Sequence, residues 1–244
     1  IRTPYVYQEI GDKIPDLATQ LYQGVPSGVG RGGRLKLVNK ELDEVLFKGV
    51  DKMIESGYAT EDDKEHCEAN GRLTDADPSL VSKTAKDRGR DQLGTIGAGN
   101  HFVEVQRVEQ IFDKETAKAL GLFENQICIM VHCGSRGLGH QNATDYIRVM
   151  MSAMPKYGIR LPDPELACTP FHSPEGQNYW KSMTASANFA WANRQFITWE
   201  IREAWKKTFG GNAEELKLVY DVAHNLAKIE EHDVNAGSSE DRRS

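Results

Sequence analysis

The sequence predicts a mixed fold of the α/β (α+β) class. Three observations carry the prediction. Residues 102–106 and 126–132 alternate apolar and polar side chains as half-buried strands do. After Asn39, and again from Ser173 to about Phe209, apolar residues recur at three- and four-residue steps, the period of a helix. Strands and helices interleave, but their order gives no strict βαβ repeat.

From the N-terminus, a first helix ends within residues 17–22. Residues 26–34 hold five glycines and prolines in nine positions, which no helix sustains, so they form a loop. Asn39 is the expected N-cap of the next helix, with Leu42, Val45, Leu46, Val50, Met53 and Ile54 as its apolar stripe and Gly57 as its stop. Asp77-Pro78 opens a further helix carrying Lys83, Lys86 and Arg88, since proline costs nothing at a first helical position. Gly94, Gly97 and Gly99 make a second glycine-rich turn, and the 102–106 strand follows. In the 126–132 strand, Ile127, Ile129 and Val131 face one way, and Cys128, Met130 and His132 the other. A third glycine-rich segment covers 134–139. Ser173-Pro174-Glu175 opens a long helical region, in which the spacing of Trp180, Phe189, Trp191, Phe196 and Trp205 fits core packing better than a base-stacking platform. Residues 216–222 read as a third strand, running out at His224.

The 244 residues suit one large domain or two small ones. With 30 Lys and Arg against 36 Asp and Glu, the net charge of −6 argues against coating nucleic acid by bulk charge and leaves room for a local basic groove. The longest apolar runs, such as 127–131, fall far short of the roughly 20 residues of a membrane span. Cys67, Cys128, Cys133 and Cys168 show no C-x-x-C spacing, so free thiols in a reducing compartment are expected. The chain opens on Ile1 and closes on a polar run, 237–244. These features read as a missing native start and a disordered or foreign end.

Three histidines share one setting. His101 sits where a glycine-rich turn enters a strand, and His132 and His224 sit where strands run out. Strand ends beside loops are where open sheets place ligands, and neutral imidazole is the commonest metal ligand. Two readings stand at this level, a metal site or three hydrogen-bonded structural residues. His66, His172 and His232 read as surface residues, and His140 as intermediate. The glycine-rich loops suit phosphate, although none is a Walker A loop or a dinucleotide fingerprint. Arg31, Arg34, Lys36, Lys83, Lys86, Arg88, Arg90 and Arg136 cluster around them. For Lys83 and Lys86 a solvated helix face is the preferred reading.

Three strings then give a family resemblance. They are Gln92-Leu93-Gly94-Thr95-Ile96-Gly97-Ala98-Gly99-Asn100-His101-Phe102-Val103-Glu104, His132-Cys133-Gly134-Ser135-Arg136-Gly137-Leu138-Gly139-His140-Gln141 and Tyr220-Asp221-Val222-Ala223-His224-Asn225-Leu226-Ala227-Lys228. With Pro26-Ser27-Gly28-Val29-Gly30, Glu65-His66-Cys67-Glu68 and Ser173-Pro174-Glu175-Gly176-Gln177, they resemble the RtcB family of RNA-splicing ligases. The resemblance runs from near Ile1 to about Val234, and the middle helices resemble the eukaryotic and archaeal branch.

The resemblance implies an RtcB-like fold of mixed sheets with surrounding helices. Residues 1–234 would be the central part of a single catalytic domain, incomplete in this chain, with 235–244 a polar, disordered tail. It implies GTP- and manganese-dependent joining of RNA 2′,3′-cyclic phosphate or 3′-phosphate ends to 5′-hydroxyl ends through guanylylation, as in tRNA splicing and RNA repair. His101, His132 and His224 match the family's ligands to two Mn2+ ions. Asn100, His101, Phe102, Val103, Glu104, His224 and Asn225 match guanylate contacts, and Arg88 and Arg136 match RNA-phosphate positions. The family's Asp-x-x-Cys motif would lie upstream, and its nucleophile histidine and guanine-pocket lysine downstream. No catalytic residue is therefore expected in this chain, and it is expected to be inactive alone. The implied partners are RNA (tRNA halves or broken ends), GTP, an archease-type activator and a tRNA-ligase complex, with no membrane. The implied location is intracellular and cytoplasmic, or nuclear in a eukaryote. Two other functions remain open: a truncated metal-, nucleotide- or RNA-binding module without ligase chemistry, and a metal-dependent cyclic phosphoesterase.

Overall fold

A computed structural model of the chain describes residues 1–28, 32–211 and 215–232. Val29, Gly30 and Arg31 of the first glycine-rich loop, and the 235–244 tail, lie outside the described residues.

The alternating segments form the sheet. Its strands are β1 (Arg2–Val6), β2 (Phe102–Arg107) and β3 (Gln126–His132), antiparallel in the order β1-β3-β2. The register sets Phe102 opposite His132, Glu104 opposite Met130 and Gln106 opposite Cys128. The other face, with Val103, Val105, Ile127, Ile129 and Val131, packs into the first hydrophobic core. β1 escapes the sequence reading because Pro4 interrupts it, and as an edge strand it tolerates a proline.

The helices are α1 (Tyr7–Ile10), α2 (Ile14–Gly24), α3 (Asn39–Lys48), α4 (Val50–Glu55), α5 (Glu61–Glu65), α6 (Lys83–Gly89), α7 (Lys114–Ala119), α8 (Arg136–Ala153) and α9 (Pro174–Phe209). α9 is the spine. Its 36 residues extend about 54 Å at 1.5 Å each. Ser173 caps it through the Gly176 N–H at 3.1 Å, and Gly210 ends it at φ 69°. Its C-terminal half joins α2 and the sheet in one core, through Ile197, Ile201 and Trp205. Its N-terminal half and middle join α3, α6 and α8 in another, through Ala185, Phe189 and Phe196. Trp191 packs with Val50, Cys67 and Leu218 in a third. The aromatic residues of α9 are thus core, with Phe189 and Trp191 fully buried. Among the described residues no helix is long and apolar enough to cross a membrane. The four cysteines are free thiols.

Five expectations need correction. Residues 216–222 form no strand; they make single bridges, Lys217 to Arg2 and Asp221 to Cys67. Backbone pairing there is split between two partners, so no ladder extends. Asn39 is the first helical residue and not the cap, because Glu41 accepts from the Val38 N–H at 3.0 Å and closes the turn one residue earlier. The helix it opens breaks at Gly49, whose φ of 57° and ψ of −125° separate α3 from α4. Pro78 opens only a three-residue 3-10 turn, and α6 starts after Ser82, whose hydroxyl accepts from the Ala85 N–H at 3.1 Å. The third glycine-rich segment is also more ordered than a loop, since its residues from Arg136 onward are the first turn of α8.

Candidate metal and nucleotide site

The β2–β3 register carries the first half of the site. Because Phe102 pairs with His132, the residue before β2, His101, is brought to the exit of β3. The His101 and His132 rings stand 5.6 Å apart, nearly perpendicular at 83°. The Phe102 ring meets His132 edge-on at 5.5 Å. The third histidine arrives from a non-strand segment: His224 Nε2 lies 3.2 Å from His132 Nε2, with ring centroids 5.4 Å apart. The structure therefore gathers the three histidines singled out from the sequence around His132.

Hydrogen bonding sets the chemistry of these rings. His132 Nδ1 is 2.9 Å from the Asn100 carbonyl oxygen. A carbonyl only accepts, so neutral His132 carries its proton on Nδ1 and leaves Nε2 as a free base. This is the arrangement usual for a metal-binding imidazole with a backbone partner. His101 Nδ1 is buried without a hydrogen-bond partner among the described residues. Burial first, then the neighbouring His132 and Arg136, hold its pKa below the ordinary histidine value. The donor set fits a divalent ion in type. Among the described residues, however, no three His, Cys, Asp or Glu side chains stand close enough together to hold an ion by themselves.

The remaining predicted residues distribute around this centre. Asn100 and Glu104 are exposed beside it, and Glu104 accepts from Gln106 Nε2 at 3.0 Å. Val103 points into the core on the opposite face from Phe102. Asn225 is exposed next to His224. Arg136 turns inward. Its Nε donates to Thr95 Oγ1 at 2.9 Å and its Nη2 to the Gly28 carbonyl at 3.0 Å, which ties the first two glycine-rich loops together. Burial lowers its pKa. Arg88 is exposed on α6, beside Gly137. Lys83 pairs with Asp87 and Lys86 with Asp43, so both are engaged on helix surfaces. His66, His140, His172 and His232 lie outside the cluster; His66 bonds the Asp62 carbonyl and His232 pairs with Glu230.

Supporting residues were missed from sequence. Glu68 accepts from the Ala223 N–H at 2.9 Å and pairs with Lys228 at 2.6 Å, holding both sides of His224. This is the work of the Glu65-His66-Cys67-Glu68 string. Gln92 Oε1 accepts from the Gly137 N–H at 2.9 Å, at the start of α8. Both stand within strings that carry the family resemblance, and no local period marks either of them.

The family described as "tRNA-splicing ligase RtcB" matches residues 1–242. The chain belongs to the RtcB family. It is 54% identical to the tRNA-splicing ligase RtcB of Aeropyrum pernix over 96% of this chain and 49% of that protein. For the protein of the same name from Thermococcus kodakarensis the identity is 52%, with the same coverage. For that of Methanocaldococcus jannaschii it is 52%, over 95% of this chain and 24% of the relative. The chain therefore spans about half the length, or less, of these RtcB relatives.

Proposed function

We propose that this chain carries the histidine-lined metal and guanylate part of an RNA ligase. The full-length protein would join RNA 2′,3′-cyclic phosphate or 3′-phosphate ends to 5′-hydroxyl ends, using GTP and manganese. The observation that carries the reading is the meeting of His132 and His224 at 3.2 Å, with His101 alongside. Family membership supports the reaction class, since the relatives are named tRNA-splicing ligases.

In this reading His101, His132 and His224 hold divalent ions, which supply charge stabilisation at phosphate oxygens. The chain's own residues do the rest. The Asn100 carbonyl fixes the His132 tautomer. Phe102 packs against the His132 ring, and Glu104 offers a carboxylate to a guanine or ribose donor. Exposed Arg88 presents a planar fork to an RNA phosphate. Arg136 contributes through the loops it holds.

Manganese uptake tests the assignment. His132→Ala and His224→Ala should lose most of the bound metal, while His172→Ala, on an exposed residue, should keep it. Equal metal content in all three variants would overturn the ligand set. A full-length protein that fails to seal cyclic-phosphate RNA to 5′-hydroxyl RNA, with GTP and manganese present, would overturn the reaction.

A further inference from the structure

Asn193 and Arg194 are the first two of three consecutive polar residues, Asn193-Arg194-Gln195, that stand between Ala190-Trp191-Ala192 and Phe196-Ile197 on α9. Asn193 is fully buried. Its Oδ1 accepts from the Gly94 N–H at 2.7 Å, and its Nδ2 donates to the Gly134 carbonyl at 3.0 Å and the Thr95 carbonyl at 3.3 Å. One amide thus fastens the turn that leads to His101 to the segment that leaves His132. Arg194 acts on the other pair of segments. Its Nε donates to Asp221 Oδ1 at 2.7 Å and its Nη1 to the Cys133 carbonyl at 3.1 Å. Cys133 follows His132, and Asp221 stands three residues before His224.

We propose that Asn193 and Arg194 are the positioning pair of the histidine site: Asn193 sets His101 against His132, and Arg194 sets His224 against His132. Stability alone is a poor reason for this arrangement. Buried ion pairs are often no more stable than apolar replacements of similar volume, and both Arg194 and Asp221 are largely buried, with side-chain exposures of 11% and 6%. The arrangement needs two donors aimed in fixed, different directions, which a guanidinium provides and an ammonium does not. The inference rests on the metal reading for one of its two readouts only.

The comparison residue is Arg202, seven residues before the end of α9. It makes a similar buried fork, donating to both Asp63 oxygens at 2.8 and 2.7 Å and to the Leu216 carbonyl at 3.0 Å, but it touches no segment next to His132. The test uses the 244-residue chain. First, two-bond 1H–15N spectra of the metal-free protein read the His132 and His224 rings directly. Second, titration with Co2+ reads affinity through its visible absorption. Arg194→Lys and Asn193→Ser should shift or broaden the His132 ring signals and weaken Co2+ binding about 10–100-fold, the range for outer-shell partners. Arg202→Lys should change neither. If Arg194→Lys does not fold, the neutral pair Arg194→Gln/Asp221→Asn replaces it, because it leaves no unpaired buried charge. Unchanged ring signals in a folded variant, or equal changes in Arg202→Lys, overturn the proposal. If the unmodified chain takes up no Co2+ while its ring signals still respond to Arg194→Lys, the metal reading falls and the positioning role stands.

Discussion

The Nδ1 atom of His132 lies 2.9 Å from the carbonyl oxygen of Asn100. The acceptor is backbone, so the ring orientation is fixed by the β2–β3 pairing, which brings the residues before β2 to the end of β3, and not by a side chain that could rotate away. His132 Nε2, 3.2 Å from His224 Nε2, is then an acceptor, and in the metal-free protein His224 must donate its Nε2 proton to it. The two rings should therefore occupy opposite neutral tautomers: Nδ1–H in His132 and Nε2–H in His224. Two-bond 1H–15N spectra distinguish the tautomers, and an Nε2–H pattern for His132 would contradict the geometry. Asn100→Ala should leave the His132 pattern intact, since it removes only the side chain.

Gly97 is small for a reason specific to the site. A Cβ there would lie 2.0 Å from His101 Nδ1 and 2.5 Å from Arg136 Nη1. Gly97→Ala should displace the His101 ring, reduce metal uptake and cost about 1–3 kcal/mol in urea unfolding, as overpacking does. Gly99→Ala is the contrast. Its φ of 79° strains any side chain, yet none of the described residues lies within 4 Å of the new methyl. It should cost roughly 1–2 kcal/mol through the backbone and leave the His101 resonances in place. A Gly97→Ala protein with unchanged metal content would refute the steric argument.

Much of the site could be read from sequence because its histidines sit at strand ends, where period-two alternation and glycine turns are strong local signals. β3 was predicted with its observed ends, Gln126–His132, and its two faces sort as the alternation requires. The long α9 was legible from its Ser173-Pro174 start and its helical period. What escaped was non-local. The 216–222 segment has strand-like residues but is held by isolated bridges and by Arg194, which sequence spacing cannot place. Arg136 looks like a surface phosphate ligand in a Gly-Ser-Arg-Gly string, yet its Nε and Nη2 are spent on Thr95 and Gly28. The break at Gly49 is set by the backbone of Gly71, whose oxygen would lie 2.3 Å from a Cβ at that position.

The Asp63–Arg202 pair should be the most costly ion pair to break by truncating one partner. Asp63 is fully buried, and Arg202 also holds the Leu216 carbonyl. Asp63→Ala strands the guanidinium and should cost about 3–5 kcal/mol. Burial alone would raise the Asp63 carboxyl, but Arg202 and Thr60 outweigh it and hold the pKa below the usual aspartate value. The unfolded chain therefore takes up this proton first as pH falls. The pair's contribution is complete above about pH 4, the ordinary aspartate range, and is lost on descending through the lower folded value. Urea midpoints at pH 7 and below pH 4 should converge between the parent chain and Asp63→Asn. A difference that stays constant would rule out this linkage.

Glu200 should show the opposite dependence. It is 1% exposed on α9; one carboxylate oxygen bonds Arg34 at 3.0 Å, and the other is buried without a partner among the described residues. Burial pushes its pKa up, and half-exposed Arg34 offsets this only in part. A raised carboxyl favours the folded state fully below the unfolded value, roughly pH 4, and that contribution disappears as pH rises through the folded value. Between pH 4 and 7 the parent chain should therefore lose stability relative to Glu200→Gln, whose amide does not titrate. Removing the cation by Arg34→Ala should steepen the loss, because at neutral pH the buried charge is left alone. Thermal unfolding of the three proteins across this range reads the slopes directly, and parallel curves for Glu200→Gln and the parent would show that folding does not raise the Glu200 pKa.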